Sequence, residues 1–82
     1  MINVEVTDNA NNKAIGYQVK RKLDKQVGFL QANTRHRSLD YKPMQSMKGV
    51  WRFRVNDHYW GLTIKDPNRL NTVRVFDVIK HP

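Results

Sequence analysis

The hydrophobic period changes twice along this chain, and those changes constrain the fold more than any other feature. Ile2, Val4 and Val6 alternate with Asn3, Glu5 and Thr7, a two-residue period that reads as a half-buried strand. Asp8-Asn9-Ala10-Asn11-Asn12 reads as a turn whose Asp and Asn side chains cap a helix start. From Lys13 the period lengthens. Ile15, Val19, Leu23, Val27 and Leu30 recur at spacings of three and four, which predicts one helix ending near Asn33. Gly16 and Gly28 each cost such a helix roughly 1 kcal/mol relative to alanine, so fraying or a kink is expected near them. The two-residue period then returns over Val50–Val55, His58–Lys65 and Thr72–Ile79, with turn signals at Asn56-Asp57 and Asp66-Pro67-Asn68. Between helix and strands, residues 34–49 (TRHRSLDYKPMQSMKG) form a basic connector anchored by Leu39, Tyr41 and Met44.

Strand, helix and three-stranded meander together predict an α+β fold, a small antiparallel sheet with the helix packed on one face. The helical crossover makes the first strand a candidate neighbour of the last. At 82 residues the chain is expected to form one domain, residues 1–82.

Charge narrows the partners. Fifteen Lys and Arg against seven Asp and Glu give a net charge of +8, a potential that attracts polyanions: nucleic acid first, an acidic protein second, an anionic membrane third. With no cysteine, neither disulfides nor cysteine–zinc sites are available. His36, His58 and His81 are too widely separated for a metal cluster, so no metal and no cofactor is expected. There is no Gly-rich phosphate loop and no nucleophile elbow. The apolar runs are too short for a membrane span, and Glu5 and Asp8 in the first strand region do not fit a signal peptide. A soluble, cytoplasmic protein is the expectation.

The strand VWRFRV (50–55) carries the strongest chemical signal. Alternation puts Trp51, Phe53 and Val55 on one face, read as core, and Arg52 and Arg54 on the other. Two guanidinium groups two residues apart make a forked cationic surface suited to phosphate oxygens, or equally a solvated sheet face. Hairpin register decides their neighbours. A two-residue turn at Asn56-Asp57 sets Arg54 against Tyr59 and Phe53 against Trp60, and sends Trp60, Leu62 and Ile64 into the core. A three-residue turn sets Trp60 against Arg54 and flips the strand. Burial of Leu62 and Ile64 favours the first. The cations Lys20, Arg21, Lys22 and Lys25 are read as a solvated helix face before an RNA contact. Arg35, His36 and Arg37 form a cluster that fits sequence-independent contact with RNA phosphates.

The connector segment RHRSLDYKPM (35–44), the strand pair VWRFRV and YWGL (59–62), and the closing VFDVIKH (75–81) resemble, in order and spacing, the RelE/ParE toxin superfamily, especially its RelE-like translational-repressor branch. That resemblance implies the toxin of a type II toxin–antitoxin pair, held in check by an acidic antitoxin. RelE-like members cut messenger RNA in the ribosomal A site without a metal; ParE-like members act on DNA gyrase. By position, Arg52 and Arg54 match basic strand residues that RelE-like toxins hold near the scissile phosphate. His81 matches a terminal basic or histidine position and Lys42 the connector lysine. The expected roles are phosphate binding for Arg52 and Arg54, proton transfer for His81, and backbone positioning for Lys42. Arg35, His36, Arg37, Lys80 and Tyr59, the last by stacking on a base, complete the expected RNA contacts. Three differences stand out: Trp60 occupies the place of a family arginine, no tyrosine follows His81, and the segment before the matched helix is short for a two-helix hairpin. Those differences keep open a gyrase inhibitor of the ParE kind and a catalytically degenerate basic binding module.

Overall fold

Thr7, rather than the Asp and Asn residues after it, caps the first helix. The computed structural model of the chain describes residues 2–81. Its elements are β1 (Asn3–Val6), α1 (Asp8–Gly16), α2 (Lys20–Ala32), a 3-10 turn (Arg37–Leu39), β2 (Lys42–Pro43), β3 (Trp51–Arg54), β4 (Tyr59–Lys65) and β5 (Thr72–Lys80). Thr7 Oγ1 accepts the Ala10 amide at 3.2 Å, and Asp8 lies in the first turn, where the helix dipole favours a negative charge. The expected turn at 8–12 is therefore helix. Its Asn residues lie on α1, while Ala10 and Ala14 are fully buried.

The single long helix is in fact two. Gln18 adopts φ 62°, the Gln18 amide donates to the Ile15 carbonyl at 3.0 Å, and the Val19 amide donates to the Ala14 carbonyl at 2.8 Å. These paired bonds, with a left-handed residue between them, are the Schellman stop of α1. The stop falls at a glutamine, not at Gly16 or Gly28, so glycine punctuation does not locate it. Val19 then turns inward, 6% exposed, while Ile15, assigned to the same face by its spacing, is 55% exposed.

The sheet order is β1-β5-β4-β3-β2. β1 runs parallel to β5, and every other pair is antiparallel. Part of the connector thus supplies an edge strand, and the first strand does lie beside the last. Leu23 and Leu30 of α2, Ala10 and Ala14 of α1 and Leu39 close over Val4, Phe53, Val55, Val73, Val75 and Val78. The helices therefore cover one face of the sheet.

Hairpin register is where the sequence expectation fails. Arg54 pairs with Trp60, Phe53 with Gly61, Arg52 with Leu62 and Trp51 with Thr63, the three-residue-turn alternative. Two local features select it. Asn56 Oδ1 accepts the amides of both His58 (2.8 Å) and Tyr59 (3.0 Å), closing a loop over 56–58. Gly61 also lets the Phe53 ring lie against the backbone: a Cβ at Gly61 would sit 2.3 Å from Phe53 Cζ. The burial argument misled because β4 is buried on both faces. Leu62, 2% exposed, lies outside the main core, and Thr63, 1% exposed, bonds its hydroxyl to that of Tyr41 at 2.9 Å.

A bulge in β5 supplies one more shift. Leu62 pairs with Asp77 but Thr63 pairs with Val75, leaving Phe76 as the extra residue, so Val75 and Val78 both reach the core despite a spacing of three. The Phe76 carbonyl, displaced from the ladder, accepts Asn9 Nδ2 at 3.0 Å, and Lys13 pairs with Asp77 at 2.8 Å. Helix α1 is thereby pinned to the irregular point of the strand.

Candidate functional site

Arg52, Trp60 and His81 form a row on the sheet face opposite the helices. Strand pairing places Trp60 beside Arg54 and Leu62 beside Arg52, so the indole lies on the arginine face. The Arg52 guanidinium carbon sits 3.8 Å from the Trp60 ring centre. The His81 ring meets the same indole edge-on at 4.4 Å. Its backbone amide donates to the His58 carbonyl at 2.6 Å, which ties the end of β5 to the hairpin loop.

Asp40 supplies the counter-charge. It occupies the left-handed region at φ 47°, a conformation that Asp tolerates better than most residues. Its carboxylate lies 3.0 Å from Lys42 Nζ and 3.5 Å from Arg52 Nη1. Lys42, hydrogen-bonded to it, holds the Asp40 carboxyl below its ordinary range, with Arg52 and Arg54 adding through space against the opposing cost of desolvation. Arg52 is thus held from two sides, its side chain only 18% exposed. Lys42, Pro43, Met44, Gln45, Ser46, Arg52 and Trp60 line a cleft of about 460 Å³ beside this row. The arrangement offers fixed cations next to an aromatic wall and an imidazole, the groups needed to hold a phosphodiester and move a proton.

Other expected contacts are distributed differently. Arg54 is exposed on the arginine face near its edge, where it also borders a second cavity with Lys22 and Lys25. Tyr59 is not beside Arg54. The register turns it to the helix face, where its ring stacks on Tyr17 at 4.5 Å, and Trp60 stands beside Arg54 in its place. Lys80 pairs with Tyr59 and so belongs to that same face, not to the cleft. Arg35 borders a different cavity with Ile2, Tyr41, Trp51 and Thr63. Trp51 is 38% exposed there instead of buried with Phe53. His36 stacks on Phe29 at 3.9 Å, and its Nδ1 accepts the Ser38 amide at 3.2 Å, which makes it a brace of the connector. Arg37 is exposed on the 3-10 turn.

Sequence reasoning missed Asp40, whose role depends on a left-handed backbone, and Gln26. Gln26 is 6% exposed. Its Nε2 donates to the carbonyls of Arg54 (2.7 Å) and Ser38 (3.1 Å), and its Oε1 accepts the Ser38 hydroxyl at 3.3 Å. A polar residue at a core-facing position of a helix is the signal that could have found it. Among the described residues no group of three His, Cys, Asp or Glu is placed to hold a metal, and no helix is long and apolar enough to cross a membrane.

No protein-family model and no curated protein matches the chain. Solved structures do. A YoeB/ParE toxin from Agrobacterium tumefaciens superposes with a TM-score of 0.73 at 11% identity, covering 99% of this chain and 100% of that one. YafQ from E. coli superposes at 0.67 with 18% identity, covering 99% and 94%. YoeB from a YoeB–YefM complex of Staphylococcus aureus superposes at 0.66 with 13% identity, covering 100% and 99%. At these identities the likeness is one of architecture, and it extends over the whole chain: this protein has the RelE/ParE toxin fold.

Proposed function

We propose that this protein is the toxin of a type II toxin–antitoxin pair and that it cuts messenger RNA on the ribosome. The observation that carries the reading is the Arg52–Trp60–His81 row beside a basic cleft on the face the helices leave open. In the proposed reaction the 2′-hydroxyl loses its proton and bonds to the adjacent phosphorus. The bond from phosphorus to the 5′-oxygen breaks, and that oxygen takes up a proton. The products are a 2′,3′-cyclic phosphate and a 5′-hydroxyl, with no oxidant, metal or cofactor consumed. Arg52 and Arg54 stabilise the charge that builds on the phosphate. His81 transfers a proton, Lys42 steadies the strand, and Trp60 holds Arg52 and His81 in line.

An acidic antitoxin is the proposed protein partner. The net charge of +8 supports it, as do solved complexes of E. coli YafQ with DinJ and S. aureus YoeB with YefM, which share this fold. Action on gyrase is the second reading, favoured by the prior engagement of Arg52 with Asp40 and Trp60. Inducing the protein alone and mapping messenger RNA 5′ ends separates the two. New ends within translated frames, lost with Arg54→Ala and accompanied by unchanged plasmid supercoiling, are expected. Arrest with altered supercoiling and no new ends rejects the nuclease.

A further inference from the structure

We infer a second phosphate-binding site, for the same RNA strand, in the cavity between α2 and the end of β3. This rests on the RNA-cutting reading and extends it by assigning where the strand leaves the cleft. β2 pairs only with Trp51 and Arg52, and beyond them Gln26 of α2 meets the edge of β3 by donating to the Arg54 carbonyl at 2.7 Å. There Lys22, Lys25, Gln26, Phe29, Ser38, Arg54, Val55, Asn56 and Asp57 enclose about 270 Å³. Lys22, Lys25 and Arg54 all border this space, and Asp57 supplies the one carboxylate among its lining residues.

Their state is the informative part. Among the described residues no salt bridge holds Lys22, Lys25 or Arg54, although Lys20, two residues before Lys22, pairs with Asp24. Lys25 instead lies 5.9 Å from the Phe29 ring centre, which orients the ammonium without cancelling its charge. Lys20, Arg21 and Lys22 occupy the first turn of α2, which holds no acidic residue. Cations there oppose the helix dipole, so the arrangement costs stability when empty and is relieved by an anion. The floor is prepared as well. The buried Gln26 amide donates to the carbonyls of Ser38 and Arg54, so these two acceptors are already paired and do not face a phosphate bare.

Arg54 connects the two places. It stands two residues from Arg52 on one strand, about 6.7 Å along it, a step comparable to that between successive phosphates of an extended chain. A strand gripped by Arg52 in the cleft therefore meets Arg54 next and Lys22 and Lys25 after it, at the sheet rim. The ligand is a backbone phosphodiester, recognised without regard to base.

The test is binding of a single-stranded hexanucleotide, 2′-O-methylated so that it cannot be cut, followed by fluorescence anisotropy over a range of salt. Lys22→Gln with Lys25→Gln is compared with a control of equal charge, Lys13→Gln with Lys65→Gln. The expected result is severalfold weaker binding for the first pair only. Its log–log salt dependence should be shallower by about 0.7, the share of one phosphate on a single strand. Equal binding by the two doubly substituted proteins overturns this site and leaves the nuclease reading standing. Wild-type protein that binds no single strand at low salt also overturns this site, while the ribosome-dependent reading stands or falls by the mapping of messenger RNA ends. Loss confined to an RNA duplex, or to an acidic polyglutamate peptide with the single strand unaffected, assigns the lysines to another partner and overturns the track.

Discussion

Arg52 and Trp60 are stacked, guanidinium over indole at 3.8 Å, although they lie on adjacent strands and are not the directly paired residues. Arg52 is opposite Leu62, and Trp60 is opposite Arg54. The contact therefore runs diagonally across the ladder, which long and aromatic side chains can span. The indole occupies the centre of the face with a cation on its ring and an imidazole at its edge.

Trp60→Ala should separate activity from stability. The ring aligns Arg52 and His81, and cation–π contacts of this kind contribute about 0.5–2 kcal/mol. The expected result is messenger RNA cleavage lowered about tenfold or more through kcat with KM little changed, while the melting temperature falls by only several degrees, about what loss of the contact costs, and the protein stays folded at the assay temperature. Trp60→Phe should recover part of the rate. A Trp60→Ala protein that cuts at the wild-type rate removes the ring from the site.

Asp40 competes with substrate for the cations it holds. Asp40→Asn keeps a residue that tolerates the left-handed backbone while freeing Lys42 and Arg52. RNA should bind severalfold more tightly with a steeper salt dependence, read by the same anisotropy titration. Weaker binding would mean that the carboxylate chiefly orders the arginine.

Gly61→Ala tests the register. The new methyl would be 2.3 Å from the Phe53 ring, whose side chain is fully buried, so the strand or the ring must move. Overpacking of this kind costs about 1–3 kcal/mol or more. A clearly lowered midpoint in urea is expected, and unchanged stability would contradict the pairing of Phe53 with Gly61.

Gln18→Gly should stabilise the protein. A left-handed residue with a Cβ costs about 1–2 kcal/mol, and glycine returns part of that gain as unfolded-state entropy. A net increase of about 0.5–1 kcal/mol in unfolding free energy is expected by denaturant titration.

Acid should weaken the fold in a defined window. Arg69 holds the Glu5 carboxyl below its ordinary range, and the Asn68 amide followed by Arg69 does so for Asp66. Groups whose pKa falls on folding add stability above the unfolded value, and lose it as pH drops through the folded one. The loss is therefore expected below the ordinary values of 4.5 and 3.8 and is absent near neutrality. Arg69→Ala should flatten the fall in melting temperature between pH 5 and 2, about the range of these titrations, since Glu5 and Asp66 then titrate more alike in both states.

His81 enters as a candidate through the family resemblance, whereas the α+β class, the strand segments other than β2, the basic character and the pairing of Arg52 with Arg54 on one face are legible in residue order, because apolar periodicity and charge are local properties. The helix stop at Gln18 is not, since a left-handed glutamine is selected by Val19 entering the core and carries no glycine to announce it. The neighbours of the arginines are not legible either. β4 is buried on both faces, so the burial of Leu62 that favours the two-residue turn is met in the observed register as well, and the choice falls to Gly61 under Phe53 and to Asn56 in the loop. That one-residue difference exchanges Tyr59 for Trp60 on the arginine face. Likewise Asp40, Gln26 and the meeting of Lys22 and Lys25 with Arg54 join residues distant in the chain. Only packing of α2 and the connector against the sheet brings them within reach of one another.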